Sequence, residues 1–288
     1  MTTPELPRPR RRRSLRPVWL ILAFYVICFV ALGILETAAA WLGGPATVNA
    51  RDALFQWLAL ASVALATWIM LRKVEKLPWR TVGLDRDAAS PPVLVKGVAW
   101  GGLTIGIASL LLLATSMMRI DPALPGSWWA EAGHTAIVLL PAAFFEELFI
   151  RGYVFAVLRR AAGWRLALIV TSVVFGLLHA WNPGADAESI LAVTVAGFFL
   201  GAILLATRSL YAAGAAHFAW NWVMAGGFHI AVSGVQSRET DYRTVETGPD
   251  WLTGGPWGPE GGLAAVALMF LGIFYLYGRH RRQMEWNA

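Results

Sequence analysis

The stretch HTAIVLLPAAFFEELFIRGYVFAVLRR, residues 134–160, decides the fold. It is long and apolar enough to cross a bilayer as a helix, which takes about 20 residues. Yet it carries two adjacent carboxylates, Glu146 and Glu147, about 13 residues from either end. A charged group at that depth costs about 3 kcal/mol on insertion scales. The pair must therefore face protein or water, never lipid. Glu147 and Arg151 stand i,i+4 on one helical face, in the acid-before-base order that favours an ion pair. Glu146 points about 100° away and has no cation at helical spacing. One carboxylate is neutralised locally and the other is left for chemistry.

The rest of the chain fits a membrane setting. Of 288 residues, 57% are hydrophobic and 15% charged, against about 25% charged in an ordinary soluble domain. That excludes a disordered chain and disfavours a water-soluble enzyme. The one cysteine, Cys28, rules out an internal disulfide framework and a cysteine-based zinc cluster. Runs long enough to span lie near 17–41, 53–71, 93–118, 133–158, 164–182, 188–207, 209–232 and 261–278. The expected architecture is all-α: a polytopic membrane protein of about eight transmembrane helices enclosing a polar cavity.

Loop charge supports that count. Cations crowd the N-terminal tail (Arg8 to Arg16), the second loop (Arg72 to Arg86), the fourth (Arg159, Arg160, Arg165), the sixth (Arg208) and the C-terminal tail (Arg279, Arg281, Arg282). The intervening loops hold Arg51, Arg119, Arg238 and Arg243. The alternation puts both termini in the cytoplasm, so the net charge of +6 speaks of topology and not of nucleic acid. The organisation expected is a basic, disordered tail over 1–16, a single transmembrane helical domain over 17–278 with its motif-bearing core at about 130–230, and a basic tail over 279–288. The first span is read as a retained anchor, because it is long for the apolar region of a signal peptide. Residues 233–260, rich in Gly, Pro and Trp, form a polar outer loop. Trp128, Trp129, Trp181, Trp251 and Trp257 fall near outer interfaces. Gly33, Gly101, Gly102 and Gly106 suit helix packing.

Two further spans carry polar groups. WRLALIVTSVVFGLLHAWNPG (164–184) places Phe175 and His179 i,i+4. RSLYAAGAAHFAWNWVMAGGFHI (208–230) places His217 and Asn221 on one stripe, beside small residues that let helices approach. His229 has no polar partner at helical spacing and reads as a bystander. One carboxylate, two imidazoles and a carboxamide are the parts for hydrolysis by an activated water: a base, a group to hold the water, and donors for a developing oxyanion. The same Glu and His side chains also suit zinc. No Ser-His or Cys-His arrangement, P-loop, dinucleotide fingerprint or HExxH motif appears.

Glu146-Glu147-x-x-x-Arg151, Phe175-x-x-x-His179 and His217-x-x-x-Asn221, in this order, resemble the motifs of the CAAX prenyl endopeptidase and bacteriocin-processing family, called CPBP or Abi. The resemblance covers about residues 130–230. It implies a multi-pass intramembrane endopeptidase in which Glu146 activates water, His179 positions it, and His217 with Asn221 stabilises the oxyanion. Glu147, paired with Arg151, would hold the fourth helix in shape; Phe175 would give structural support. The catalytic set is thus Glu146, Glu147, His179, His217 and Asn221, with Glu146, His179 and His217 as candidate ligands should the enzyme use a divalent metal such as zinc. The family is often called metalloproteases, and a metal-free glutamate–water mechanism is argued for it too. Implied partners are membrane lipid and a peptide or protein substrate, C-terminal or lipid-modified, with no nucleic acid. The implied location is a bacterial inner (cell) membrane. The alternatives are a non-proteolytic immunity or scaffold protein on the same fold and, less well supported, an ion- or proton-coupled transporter.

One demand follows. At 1.5 Å per residue, His179 would lie near the outer surface and His217 about 12 Å from the inner one. A shared site requires tilted or offset helices, or different boundaries for the fifth and seventh spans.

Overall fold

The computed structural model describes residues 15–44, 47–236 and 240–284. Residues 1–14 of the expected N-terminal tail, Arg238 and the last residues of the C-terminal tail lie outside this range, and Arg16, expected in the tail, opens α1. Helices dominate, in the order α1 (Arg16–Trp41), α2 (Val48–Trp68), α3 (Pro91–Ala114), α4 (Trp128–Glu147), α5 (Tyr153–Ala162), α6 (Trp164–Leu178), α7 (Ala187–Thr207), α8 (Leu210–Trp222), α9 (Asp250–Thr253) and α10 (Leu263–Met284). Two strands, β1 (Met118–Pro122) and β2 (Tyr242–Glu246), pair antiparallel with Met118 opposite Glu246.

Local sequence explains where helices begin. Pro17 and Pro91 stand in the first turns of α1 and α3, where a missing N–H costs nothing. Thr47, Ser127 and Ser209 accept from the backbone N–H three residues on, at the starts of α2, α4 and α8. Asp186 and Ser189 form a reciprocal capping box on α7. Inside α4, Pro141 has no N–H to give the Ile137 carbonyl; Trp57 of α2 donates to that oxygen instead, at 3.2 Å. The proline is thus tolerated, and it fastens α2 to α4.

Five stretches are long and apolar enough to cross a membrane: Arg16–Trp41, Val48–Val74, Pro91–Ala114, Trp164–Trp181 and Ala187–Thr207. The expected spans near 133–158, 209–232 and 261–278 do not meet that measure. In the first, Glu146, Glu147 and Arg151 dilute the hydropathy, and the helix passes from α4 through a π turn (Leu148–Gly152) into α5. In the second, α8 gives way to a π turn (Val223–Gly227); beyond Gly226-Gly227, His229 has φ 51°, so 228–232 is not helical. In the third, the apolar part of α10 covers only Leu263–Arg279.

The third span also ends early. Its helix stops at Ala114, Ser116 turns left-handed at φ 58°, and Met118 enters β1 rather than extending the helix. The all-α expectation is corrected to this extent. The two strands form a small cap with α9 and the 3₁₀ turns Gly255–Trp257 and Pro259–Gly261. Trp257, expected at an interface, is buried in the cap, whereas Trp129, Trp181 and Trp251 are exposed.

The cap rests on the end of α8. The Tyr242 hydroxyl donates to Gly227 O at 2.5 Å, Thr244 Oγ1 donates to Phe228 O, and His229 stacks on Tyr242 with Nδ1 2.8 Å from its carbonyl. His229 is therefore a joint between helix and cap, with no link to the polar residues of the bundle interior. In the bundle, α8 packs against α3, α4 and α7, and α6 against α7. Of the four packing glycines expected, Gly101 meets α8 backbone; a Cβ there would strike the Ala216 carbonyl, and one on Gly97 that of Ala212. Gly102 and Gly106 make ordinary contacts, and Gly33 has no neighbour within 4 Å among the described residues.

Candidate functional site

Glu146, Glu147, His179, His217 and Asn221 come together. Glu146 Oε2 lies 3.9 Å from His179 Nε2 and 3.9 Å from His217 Nε2. Asn221 follows His217 by one turn of α8 and, like it, is 7% exposed.

Both imidazoles meet the same carboxylate oxygen, so they lie at one level of the bundle. α6 has 15 residues, about 22 Å at 1.5 Å each, and His179 begins the 3₁₀ turn that carries the stretch on to Trp181. α8 begins inside the protein. Its cap residue Ser209 is fully buried, with its hydroxyl on Ala88 O at 2.6 Å, and Leu210 N donates to Gly83 O at 3.0 Å. The loop 83–88 thus closes over the start of α8.

Each side chain is oriented by a neighbour. Nδ1 of His179 lies 2.8 Å from the Phe175 carbonyl. An N–H there satisfies that oxygen and leaves the Nε2 lone pair facing Glu146. Nδ1 of His217 stands 3.3 Å from Glu147 Oε1, again turning Nε2 to Glu146. Glu147 is wholly buried, and Arg151 Nη1 donates to the same oxygen at 2.5 Å while Nη2 donates to Gly197 O at 3.1 Å. The Phe175 ring packs under this set, with the Arg151 guanidinium 4.5 Å from its centroid and the rings of His179 and His217 at 4.8 and 5.7 Å. Glu147 therefore orients an imidazole as well as bracing its own helix, a double role that the i,i+4 spacing alone did not show.

Glu146 is held by nothing. Its Oε2 is buried and has no hydrogen-bond partner among the described residues. It faces a cavity of about 400 Å³ that reaches from His179, His217 and Asn221 to the end of the bundle where α2 and α4 begin. At 3.9 Å from two imidazole nitrogens, the carboxylate has room for a water bridging the three groups. A separate void of about 20 Å³ touches His179, His217 and Asn221 from behind, and space of that size holds one water.

Sequence reasoning missed residues that complete the enclosure. Glu260 enters from the turn after Trp257 and is buried. Its carboxylate accepts from Trp220 Nε1 at 2.8 Å, Ser233 N at 2.7 Å and Ser233 Oγ at 2.6 Å. Ser233 O in turn accepts from Asn182 Nδ2 at 3.0 Å, three residues past His179. The outer segment is thereby stitched to both histidine-bearing helices. A lone Glu in GGPWGPEGG has no periodic partner, so nothing in the sequence singled it out. Asp52, Gln56, Glu131 and His134, which line the outer part of the cavity, were likewise not read as a group.

Glu146, His179 and His217, the candidate ligands for a metal, were tested for fit. Among the described residues no set of three or more His, Cys, Asp and Glu side chains could hold a metal ion.

Residues 128–223 match the family model described as type II CAAX prenyl endopeptidase Rce1-like. The matched segment runs from the start of α4 into the π turn after α8, so every candidate residue falls inside it. No curated protein and no solved structure matches the chain. Over this segment the chain is CAAX-protease-like, in agreement with the resemblance carried by its three motifs, and its long apolar helices mark a multi-pass membrane protein.

Proposed function

We propose that this CAAX-protease-like membrane protein is an intramembrane endopeptidase that hydrolyses a peptide bond with a water activated by Glu146. The observation that carries the reading is Glu146 Oε2, without a hydrogen-bond partner among the described residues and 3.9 Å from both imidazole Nε2 atoms, on a side chain that lines the cavity. Glu146 takes a proton from the water, and the water oxygen adds to the substrate carbonyl carbon. The Nε2 lone pair of His179 accepts the other water proton as a hydrogen bond and aims the nucleophile. The Asn221 amide and a protonated His217, steadied by Glu147, donate to the oxyanion. Glu146 then hands its proton to the departing amine. No step requires a metal.

Eight crossings, with both termini on the arginine-rich side of a bacterial inner membrane, complete the proposal. The alternation of loop cations supports it. The substrate is a peptide or protein segment, C-terminal or lipid-modified, that reaches the cavity from within or beside the bilayer.

The test is cleavage of a peptide library by the purified protein in detergent, compared across wild type, Glu146→Ala and His217→Ala. Loss of cleavage in both variants is expected, and equal turnover in all three would remove the proteolytic reading. A chelator added to wild type is expected to leave turnover intact. Its loss, restored by zinc, would reassign Glu146, His179 and His217 as ligands.

A further inference from the structure

The cavity in front of Glu146 has an open end and a shut end. Along α4 its wall is a single helical face, Glu131, His134, Val138, Ala142 and Glu146, at spacings of three and four residues. From Glu131 to Glu146 this face runs about 22 Å at 1.5 Å per residue. Asn49, Asp52 and Gln56 line the cavity from the start of α2. Exposure falls along the path. Asp52 and Gln236 are exposed, Gln56 and His134 are half-buried, and His217 and Asn221 are buried.

Beyond Glu146 the same helix is packed shut. Glu147 and Arg151 are buried in their ion pair, and Leu148, Ile150, Tyr153 and Phe155 belong to the core. None of these six lines the cavity. Water therefore reaches Glu146 from the end where α2 and α4 begin, and that access is what lets a carboxylate persist at such depth. The two ends also differ in charge. Where α5 ends, Arg159 and Arg160 meet Arg80 and Arg208 around one space, and Arg16 and Arg160 both face Glu75. No lysine or arginine lines the Glu146 cavity among the described residues.

Arginine-rich loops stay on the cytoplasmic side of a membrane, so the mouth bearing Asp52 and Gln236 faces the other way. Resting on the hydrolytic role and the cytoplasmic termini proposed above, we propose that the Glu146 cavity opens away from the cytoplasm and takes an extended polypeptide segment exposed at the outer face of the membrane. Depth sets the form of that substrate. A folded domain cannot descend about 22 Å between α2 and α4 to meet Glu146, whereas an unfolded, extended stretch can. The substrate is thus a strand-like part of an exported or membrane-anchored protein, on the side opposite the chain's own termini.

The experiment labels the full chain in intact bacterial cells with a membrane-impermeant maleimide. Wild type, whose Cys28 is buried, is the blank. It is compared with Asp52→Cys at the mouth and Arg86→Cys in the loop at the shut end, both at exposed positions. Asp52→Cys is expected to react in intact cells, and Arg86→Cys only after the cells are permeabilised. The reverse pattern, or reaction of Arg86→Cys in intact cells, would overturn the proposal. Each variant is then purified in detergent and given a bulky maleimide before the peptide-library assay. The adduct at position 52 is expected to slow cleavage at least about tenfold by blocking the approach to Glu146, and the adduct at position 86 to leave it at the wild-type rate. Undiminished cleavage with the mouth adduct would mean that substrate enters elsewhere, from the bilayer side, and would also overturn the proposal. Failure of unlabelled wild type to cleave any peptide would remove the hydrolytic reading instead, and labelling would still decide the side on which the cavity opens.

Discussion

Two carboxylates of this helical bundle, Glu75 and Glu146, have opposite surroundings. Glu75, after the π turn that ends α2, is fully engaged: Oε2 accepts from the Tyr153 hydroxyl at 2.6 Å and from Arg160 at 2.7 Å, and Oε1 faces Arg16 at 3.7 Å. It joins α1, α2 and α5. Glu146 has an oxygen with no partner, two imidazoles just beyond hydrogen-bond reach, and open space in front of it. A satisfied buried charge fixes helices in place. An unsatisfied one beside a cavity is costly to keep, and the hydrolytic role proposed for Glu146 supplies a reason.

The largest effect should come from Glu146→Gln. Removing a general base lowers kcat/KM by about 10²- to 10⁴-fold, and because Oε2 has no partner to lose, thermal stability in detergent should scarcely move. A variant that unfolds instead would erase the distinction between the two carboxylates. Glu147→Ala should do the reverse of its neighbour. It strips the counter-charge from wholly buried Arg151, at a cost of about 3–5 kcal/mol in stability, read as a fall in the unfolding midpoint that precedes any question of turnover. Glu75→Ala leaves Tyr153 and Arg160 without their acceptor, for about 1–3 kcal/mol. The folded fraction that remains should cleave with unchanged KM; a change in KM would mean that the clamp reaches the site.

A third carboxyl sharpens the contrast through pH. Glu246, in β2, is pushed up from the usual 4.5 to about 7 by burial and by the nearby charge of Asp250. The folded cap holds its proton where the unfolded chain releases it. The stability this contributes is full below about 4.5 and is lost as pH rises through about 7. With allowance for solvent at this part-exposed group, the size is on the order of 1 kcal/mol. Hydrogen-exchange protection across residues 240–254, taken relative to the intrinsic rate at each pH, should be higher at pH 5 than at pH 8, and Glu246→Gln should flatten the difference.

Much of the bundle was legible because lipid imposes a length rule, and five of the stretches read as spans are long and apolar enough to cross a membrane. The motif residues were legible because each pair stands i,i+4 on one helix, as Phe175 with His179 and His217 with Asn221. What escaped notice depends on long-range contact. β1 and β2 pair residues more than a hundred positions apart, and Met118 is continuous with an apolar run that reads as helix. Hydropathy likewise could not show that the start of α8 lies beneath the loop 83–88, which meets it through Gly83 and Ala88. Glu260 belongs to the same class: its partners Trp220 and Ser233 lie 40 and 27 residues away.

The contact of α3 with α8 carries a consequence for redesign. Because Gly97 and Gly101 lie on the carbonyls of Ala212 and Ala216, main chain, not rotamers, sets the insertion depth of the segment bearing His217 and Asn221. The wall facing the cavity from α2 and α4 can then be repainted to admit other peptides without detuning the imidazole, whereas a single methyl group added at position 101 would throw the whole instrument out of alignment.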